Sequence, residues 1–507
     1  MKIKYTLYFL ALLFCVASPA YAQLKNAVII RDTIYSNELQ EKRALEIVLP
    51  ADYATAPAKK YDATYVTDGE WNTQIVTNID RFLEIQFIPS NIIVSMPNVY
   101  KNGENMRERD CTPTHINNVP VSGGAGKYLA FIKNEVMPYI NKKYRTSGMN
   151  TLYGSSLAGI FTMYAIIKEP RLFQSYLLAD PALWWDNGYA FKLADDNLGK
   201  LNLKDITLLM TGREGPAAIG MGIVKMDSIF RKQAPAGLHW KTMYYNDETH
   251  NSMIFRTLYD GLKYTYYGYS KEPMQFHPQN GIMLKGQPIK ININGDLLKQ
   301  LRYTTDGSQP TEASTAVVDQ TITLQNPARL TIKALSNRPV YEQQATADYV
   351  LGETLPAKAK LKGLTPEGWS YAYYEGSWDS MPDFKNLKPL QTGKAGKDFD
   401  PTRLPKQQNF ACVFSGQIEV QAAGYHIFAI NCDGGARLYI DNKLVIDDGT
   451  LHARGNFKSY VLPLAKGFHN FRLQYFEKTG KASINLIYIT PDNENGRPIP
   501  LSLQYGK

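Results

Sequence analysis

Cysteine is scarce in this chain: there are four in 507 residues, and one of them, Cys15, falls in an apolar N-terminal run. The other three, Cys111, Cys412 and Cys432, are an odd number, which excludes a complete disulfide framework. They are either buried thiols or, for Cys412 and Cys432, a pair on neighbouring strands. Long apolar runs are missing beyond the first 22 residues, so no later segment reads as a transmembrane helix. Clustered charge is missing too. The formal net charge is +9, yet no basic block exceeds Lys59-Lys60 or Lys142-Lys143. That reads as a solvated basic surface rather than a nucleic-acid face. No low-complexity tract interrupts the chain. Histidine is limited to seven residues, few enough to examine one by one as catalytic bases.

What is present begins with a leader. Lys2 and Lys4 precede an apolar stretch over 5–16, and Ala20-Tyr21-Ala22 supplies small residues before Gln23. This is the pattern of a secretory signal over 1–22. Phe14 before Cys15 fits a lipoprotein cleavage site poorly, so a soluble exported protein is expected, periplasmic or extracellular. A chain of this length exceeds one core and implies several domains.

The interior divides by pattern. Over 23–270, short apolar strands (43–49, 61–66, 91–95, 151–153, 175–179, 206–211 and 240–245) alternate with helical stretches (127–144, 160–167, 224–233 and 253–266). Such alternation implies a mostly parallel sheet covered by helices on both faces. At Lys271-Glu272-Pro273 the helical period disappears. Residues 271–352 read as a small β-sandwich, with alternating runs at 289–293, 301–304, 321–324 and 330–334. A Pro/Lys/Ala-rich stretch over 355–362 reads as a flexible joint. A second β-rich domain follows, so the last two domains are 271–352 and 353–507.

The densest chemical signal is Tyr153-Gly154-Ser155-Ser156-Leu157-Ala158-Gly159, between a short strand and the helical run 160–167. A strand, a tight turn with serine at its apex, and a helix make the nucleophile elbow of an α/β-hydrolase. The register of G-x-S-x-(G/A) selects Ser156, with Ser155 as its neighbour. A serine hydroxyl needs a base, and the base needs a carboxylate. In this fold the chain order is serine, acid, histidine. Only His239 and His250 lie between Ser156 and the boundary near 270. His239 opens a strand; His250 occupies the loop after the last strand, where a catalytic histidine belongs. The acid is expected after the preceding strand, which selects Glu214. Asp180 and Asp186 stand one strand earlier, and Asp227 lies within a helical stretch. Glu214 could alternatively be a surface acid paired with Arg213. The oxyanion needs two backbone N–H donors. One is Leu157, after the nucleophile. The other is Glu70, after the turn signal Asp68-Gly69.

These residues resemble the putative-esterase family of α/β-hydrolases, which includes feruloyl and acetyl-xylan esterases, siderophore esterases and mycolyltransferases. The resemblance covers about 43–265. It rests on Tyr65-Val66-Thr67-Asp68-Gly69, on Arg107-Glu108-Arg109-Asp110-Cys111-Thr112-Pro113, on Ser122-Gly123-Gly124-Ala125, on Asp180-Pro181-Ala182-Leu183-Trp184-Trp185 and on His250-Asn251-Ser252. It is nearest the enterobactin-esterase-like subgroup, departing from it at Ser155, often His there, and at Ala158, often Gly. It implies that the Asp180–Trp185 loop lies beside the serine. Arg107 and Arg109 either bind an anionic substrate group or make internal ion pairs. Trp184 and Trp185 either stack on a sugar or phenolic ring or pack in the core.

Residues 275–350 resemble the C-terminal β-sandwich of chitobiases, through Leu301-Arg302-Tyr303-Thr304-Thr305-Asp306-Gly307. Residues 364–490 resemble the sugar-associated β-sandwich of anthrax protective antigen, through Gly424-Tyr425-His426-Ile427-Phe428 and Asp433-Gly434-Gly435-Ala436-Arg437. Adhesins of that fold hold calcium with paired aspartates. Here Cys432-Asp433 replaces the pair, so Asp433 and Asp441 are expected to shape turns and no metal is expected. The expectation is an exported serine esterase without metal or organic cofactor. It acts on carbohydrate-linked acyl or feruloyl esters, with a glycan at its C-terminal domain. The alternatives are a siderophore trilactone esterase and a glycan-binding protein with an inert hydrolase domain.

Overall fold

The computed structural model describes residues 28–295, 299–395 and 404–507. The leader and Cys15 lie outside the described residues. Two compact units divide the chain. The first runs to Lys271 and includes Asn337–Pro339; the second comprises Glu272–Ser336 and Val340–Lys507.

The first unit is built on an eight-stranded sheet. Its strands are β1 (Ile29–Ser36), β2 (Glu41–Val48), β3 (Tyr61–Thr67), β4 (Asn91–Met96), β5 (Thr146–Ser155), β6 (Ser175–Ala179), β7 (Ile206–Arg213) and β8 (Leu238–Tyr245). The spatial order is β1-β2-β4-β3-β5-β6-β7-β8. β1 and β2 pair antiparallel, and β2 joins β4 antiparallel. From β4 to β8 every pairing is parallel. The sequence explains the difference. β3, β4 and β6 are buried at every residue, as strands covered on both faces must be. β2 alternates buried and less buried positions in its first half, since one face there meets solvent. The helices Gly69–Glu84, Leu157–Lys168 and Met253–Thr265 pack their apolar sides on this sheet.

Arg338 belongs to the first unit although it lies far along the chain. Its guanidinium is fully buried and donates to Asp62 Oδ2 at 2.5 Å and to Thr151 Oγ1 at 2.8 Å. Asp62 and Thr151 sit in the adjacent strands β3 and β5, so the ion pair ties the bottom of the sheet.

Among its described residues the second unit is β apart from short helical turns. One nine-stranded sheet runs through both of the C-terminal modules read from the sequence. The strand Asn280–Met283 makes the join. It pairs in parallel with Gln343–Leu351 on one side and with Lys458–Leu464 on the other. The stretch expected to be a flexible joint is held by backbone hydrogen bonds instead. Leu355 N–H donates to Pro463 O at 2.9 Å and Leu355 O accepts from Ala465 at 3.0 Å. Lys358 N–H donates to Phe468 O at 2.7 Å. The proline and lysines there suit an exposed sheet edge as well as a free linker, which is why composition misleads. Cys412 and Cys432 do not form a disulfide. They sit in different sheets of the sandwich, and both are buried thiols, as is Cys111. Among the described residues no helix is long and apolar enough to cross a membrane.

Candidate active site

β5 ends at Ser155 and a helix begins at Leu157, so the whole reversal falls on Ser156. Its backbone takes φ 56°, ψ −114°, a conformation that side-chain-bearing residues rarely adopt. Holding it costs on the order of 1–3 kcal/mol. The surrounding hydrogen bonds supply the restraint. Ser156 N–H donates to Ala179 O at 2.9 Å. Ser156 O accepts from Gly159, Ile160 and Ala182 at 3.0, 3.2 and 2.9 Å. The turn is also sterically closed. A Cβ on Gly154 would lie 2.1 Å from Ala158 O, and one on Gly159 would lie 2.7 Å from Pro181 Cβ. Glycine is required at both positions because strand, helix and the Pro181 loop meet there.

Leu157 is the first helical residue after the serine, and its N–H has no carbonyl four residues back within the helix. The loop after β3 offers a second such group. Asp68 is buried in the left-handed region (φ 54°, ψ 47°) and starts the helix Gly69–Glu84, with Glu70 in its first turn. The Glu70 carboxylate is held away from the turn. It accepts from Asn98 N–H and from Asn98 Nδ2, both at 2.9 Å.

Arg107 fixes this loop to the elbow. Its Nε and Nη2 each donate to Asp68 at 2.8 Å, and Nη2 donates also to Ser155 O at 3.0 Å. One guanidinium therefore spans the residue before Ser156 and the turn that carries Glu70. Arg109 is likewise engaged within the protein. It reaches Glu41 at 2.7 and 3.0 Å and Asp110 at 2.8 Å. Arg43 and Lys101 complete that cluster through Asp110 and Glu41. Of the two roles open for Arg107 and Arg109, the structure gives the internal ion pair in both cases.

The carboxylate on the histidine is Asp180. His250 Nδ1 lies 2.7 Å from Asp180 Oδ2, and Arg213 Nε donates to the same oxygen at 2.7 Å. Asp180 is fully buried, at the end of β6, in the left-handed region with φ 40°. Its N–H donates to Thr211 O at 3.0 Å, which pins it across to β7. Glu214, the acid expected from the sequence, is exposed on the turn after β7; its N–H donates to Tyr245 O. The strand count fails by one because the neighbouring strand ends β6 and β7 both face the histidine loop. β6 supplies the acid and β7 supplies the arginine beside it. A usable signal was present. Asp180 directly follows a strand buried at all five residues, where an acid needs a partner.

With Nδ1–H donated to Asp180, the His250 imidazole carries its lone pair on Nε2. Ser156, Asp180 and His250 are gathered at the C-terminal edge of the sheet, where open α/β sheets bind ligands. The tryptophans divide. Trp185 is 2 % exposed, and its Nε1 donates to Thr114 at 3.2 Å, so it is a core residue. Trp184 is 50 % exposed and can face a ligand. Sequence reasoning overlooked Trp71. It follows Glu70, is exposed, and has the Arg107 guanidinium 5.4 Å from its ring centroid.

In the second unit Asp433 and Asp441 are bound within the protein. Asp433 accepts from Arg454 N–H, and Asp441 pairs with His469 Nδ1 at 2.7 Å and accepts from Asn470 N–H. Both shape turns, as expected.

Comparison with known proteins adds the following. Residues 36–213 match the family described as Putative esterase, and residues 382–502 match the PA14 domain. Over 98 residues the chain is 30 % identical to the ferri-bacillibactin esterase BesA of Bacillus subtilis, covering 19 % of this chain and 34 % of that one. Over 68 residues it is 40 % identical to a siderophore enterobactin esterase of Emericella nidulans, covering 13 % and 22 %. The crystal structure of an IroE-like serine hydrolase from Shewanella oneidensis is 31 % identical, covering 46 % of this chain and 79 % of that chain, with a TM-score of 0.43. The matches thus span about a third or less of the length of these curated relatives.

Proposed function

Because this chain belongs, over residues 36–213, to the Putative esterase family of α/β-hydrolases, we propose that it is a serine esterase that hydrolyses carboxylic esters through an acyl-enzyme. The observation that carries the reading is the 2.7 Å contact of His250 Nδ1 with buried Asp180, beside a serine held at positive φ.

The chemistry follows from the atoms. His250 Nε2 takes the Ser156 proton as Oγ attacks the ester carbonyl. Asp180 holds the imidazole tautomer and stabilises the imidazolium that forms; Arg213 donates to the same carboxylate oxygen. The oxyanion is received by the N–H groups of Leu157 and Glu70. Both lie in the first turn of a helix, where unpaired N–H groups and the helix dipole favour negative charge. Collapse of the tetrahedral intermediate returns the proton from His250 to the leaving alkoxide, releasing the alcohol and leaving an acyl group on Ser156. Water, deprotonated by His250, then attacks the acyl carbon and releases the acid. Each step uses groups of this chain, so no metal or organic cofactor is called on.

For the substrate, the reading is an ester joined to carbohydrate, either an acyl group on a polysaccharide or a feruloyl-type ester. The PA14 match and the exposed faces of Trp184 and Trp71 support it. A siderophore trilactone is the second reading, supported by the names of the curated relatives. It loses part of its basis because Arg107 and Arg109 are committed to Asp68, Glu41 and Asp110. Export to the periplasm or outside belongs to the same proposal and rests on the leader pattern.

The test is a panel of acetylated xylan, feruloylated oligosaccharide and ferric catecholate trilactone, each with wild type and Ser156→Ala. Turnover of either carbohydrate ester, with the trilactone untouched, is expected. Preferred turnover of the trilactone reverses the substrate assignment. No Ser156-dependent turnover of any ester refutes the enzyme reading.

A further inference from the structure

We infer that the PA14-type sandwich holds a zinc-class divalent cation between Cys432, Asp448 and His452. The Sγ of Cys432, a carboxylate oxygen of Asp448 and a ring nitrogen of His452 all lie within 4.8 Å of one another. These residues take no part in the hydrolase chemistry and lie in the other unit.

Two independent features point to a cation. The first is the histidine. His452 Nδ1 is 2.7 Å from the carbonyl oxygen of Ala453, so it carries the proton and donates it. Nε2 is then the lone-pair nitrogen. It is buried and has no hydrogen-bond partner, although Asp448 Oδ2 is only 3.0 Å away. The ring nitrogen is aimed past that oxygen rather than at it. Two acceptors at this distance repel each other unless a proton or a cation lies within reach of both. A backbone carbonyl that fixes the tautomer through the far ring nitrogen is the usual support of a metal-ligating histidine.

The second feature is the backbone. Cys432 ends the strand Gly424–Cys432 in one sheet, while Asp448 and His452 lie on Lys443–His452 in the other. The paired strand is bulged here. Gly434 faces His452 and Ala436 faces Asp448, so two steps on one strand span four on its partner. A bulge re-aims side chains. This one turns Asp448 and His452 together towards Cys432. Glycine makes it possible: Gly434 has φ +74°, and a Cβ on it would lie 2.0 Å from Phe476 O.

One thiolate, one imidazole and one carboxylate form the donor set of zinc rather than of calcium or magnesium, which favour all-oxygen shells. Three protein ligands leave one position of a tetrahedron. Asp448 and His452 are partly exposed, so that position can take water or an oxygen of a bound ligand. The ion would join the two sheets at the point where the chain crosses from one to the other.

The experiment uses the full chain, free of any affinity tag, stripped with a chelator and titrated with zinc chloride and separately with cobalt(II) chloride. One equivalent of zinc is expected to bind. Cobalt is expected to give a thiolate-to-metal charge-transfer absorption in the near ultraviolet. His452→Gln and Cys432→Ser should each weaken binding by roughly tenfold or more, and Cys432→Ser should also abolish the absorption. Hydrolysis of a small ester should persist in both variants. If Cys432→Ser fails to fold, His452→Gln, at a partly exposed position, carries the test alone. The inference is overturned if the stripped wild type binds less than a tenth of an equivalent at tens of micromolar free zinc. It is overturned equally if His452→Gln binds as wild type does.

Discussion

Replacing Asp180 by asparagine separates the site seen in the structure from the one the sequence suggests. The Asp180 Oδ2 atom accepts from His250 Nδ1 and from Arg213 Nε, both at 2.7 Å. In Asp180→Asn the amide oxygen can keep that position and both donors, so the geometry survives while the charge is lost. The imidazolium formed in the transition state then lacks its counter-charge. Two unit charges about 4 Å apart interact by about 4 kcal/mol at an effective dielectric constant near 20. That corresponds to roughly a thousandfold in rate. If the amide NH2 turns towards His250 instead, the wrong tautomer is favoured and the loss approaches about 10⁴-fold, as in other triads. The assay is kcat and KM on an activated acetyl ester, with thermal unfolding as the control for folding. We expect kcat to fall about 10³- to 10⁴-fold with KM nearly unchanged, and Glu214→Ala to stay within about threefold of wild type. A loss below tenfold for Asp180→Asn, or a larger loss for Glu214→Ala, refutes the assignment of Asp180.

Arg107→Met leaves Asp68 buried without its bidentate partner and should cost about 3–5 kcal/mol of stability, read by urea unfolding. In the surviving folded enzyme kcat should fall for a neutral ester, because the Glu70 turn loosens; a rise in KM confined to anionic esters would instead make Arg107 a substrate anchor. Glu41 is buried, which opposes its charge, but hydrogen bonds from Arg109, Lys101 and Arg43 bring its pKa from 4.5 down to about 2. Its stabilising contribution is therefore complete above about pH 4.5 and is lost as pH falls towards 2. Glu41→Gln should flatten the fall of unfolding free energy across that window, and an unchanged slope contradicts the ion-pair account. Arg338→Met, or a chain ending near Ser270, leaves buried Asp62 unpaired, and both should lower the unfolding midpoint of the hydrolase unit by several degrees. Retention of the wild-type midpoint by the shortened chain would show that Arg338 adds nothing.

The parts legible in the sequence were those encoded over a few consecutive residues. Gly154-Ser155-Ser156-Leu157-Ala158-Gly159 defines the elbow because steric closeness there demands small residues at fixed offsets. His250 stands out as a candidate because its loop follows the last strand. Asp180 was missed because its burial, its positive φ and its hydrogen bond to Thr211 arise only when β6 and β7 pair. Arg107 and Arg109 left both roles open because their partners Asp68 and Glu41 stand 39 and 68 residues away. The strand Asn280–Met283, which joins the two C-terminal modules in one sheet, is only four residues long and has no local mark of its parallel partners. The spacer over 355–362 has loop composition, and its docking depends on strands about a hundred residues later.

The central claim is that Ser156 is the nucleophile of a serine hydrolase. It is tested most directly by inactivating the full chain with a fluorophosphonate and locating the adduct by peptide mass spectrometry. The account predicts one phosphonyl group per chain, on Ser156, with labelling abolished in Ser156→Ala and slowed by orders of magnitude in His250→Ala. Labelling retained in Ser156→Ala, or an adduct found on Ser155, contradicts it.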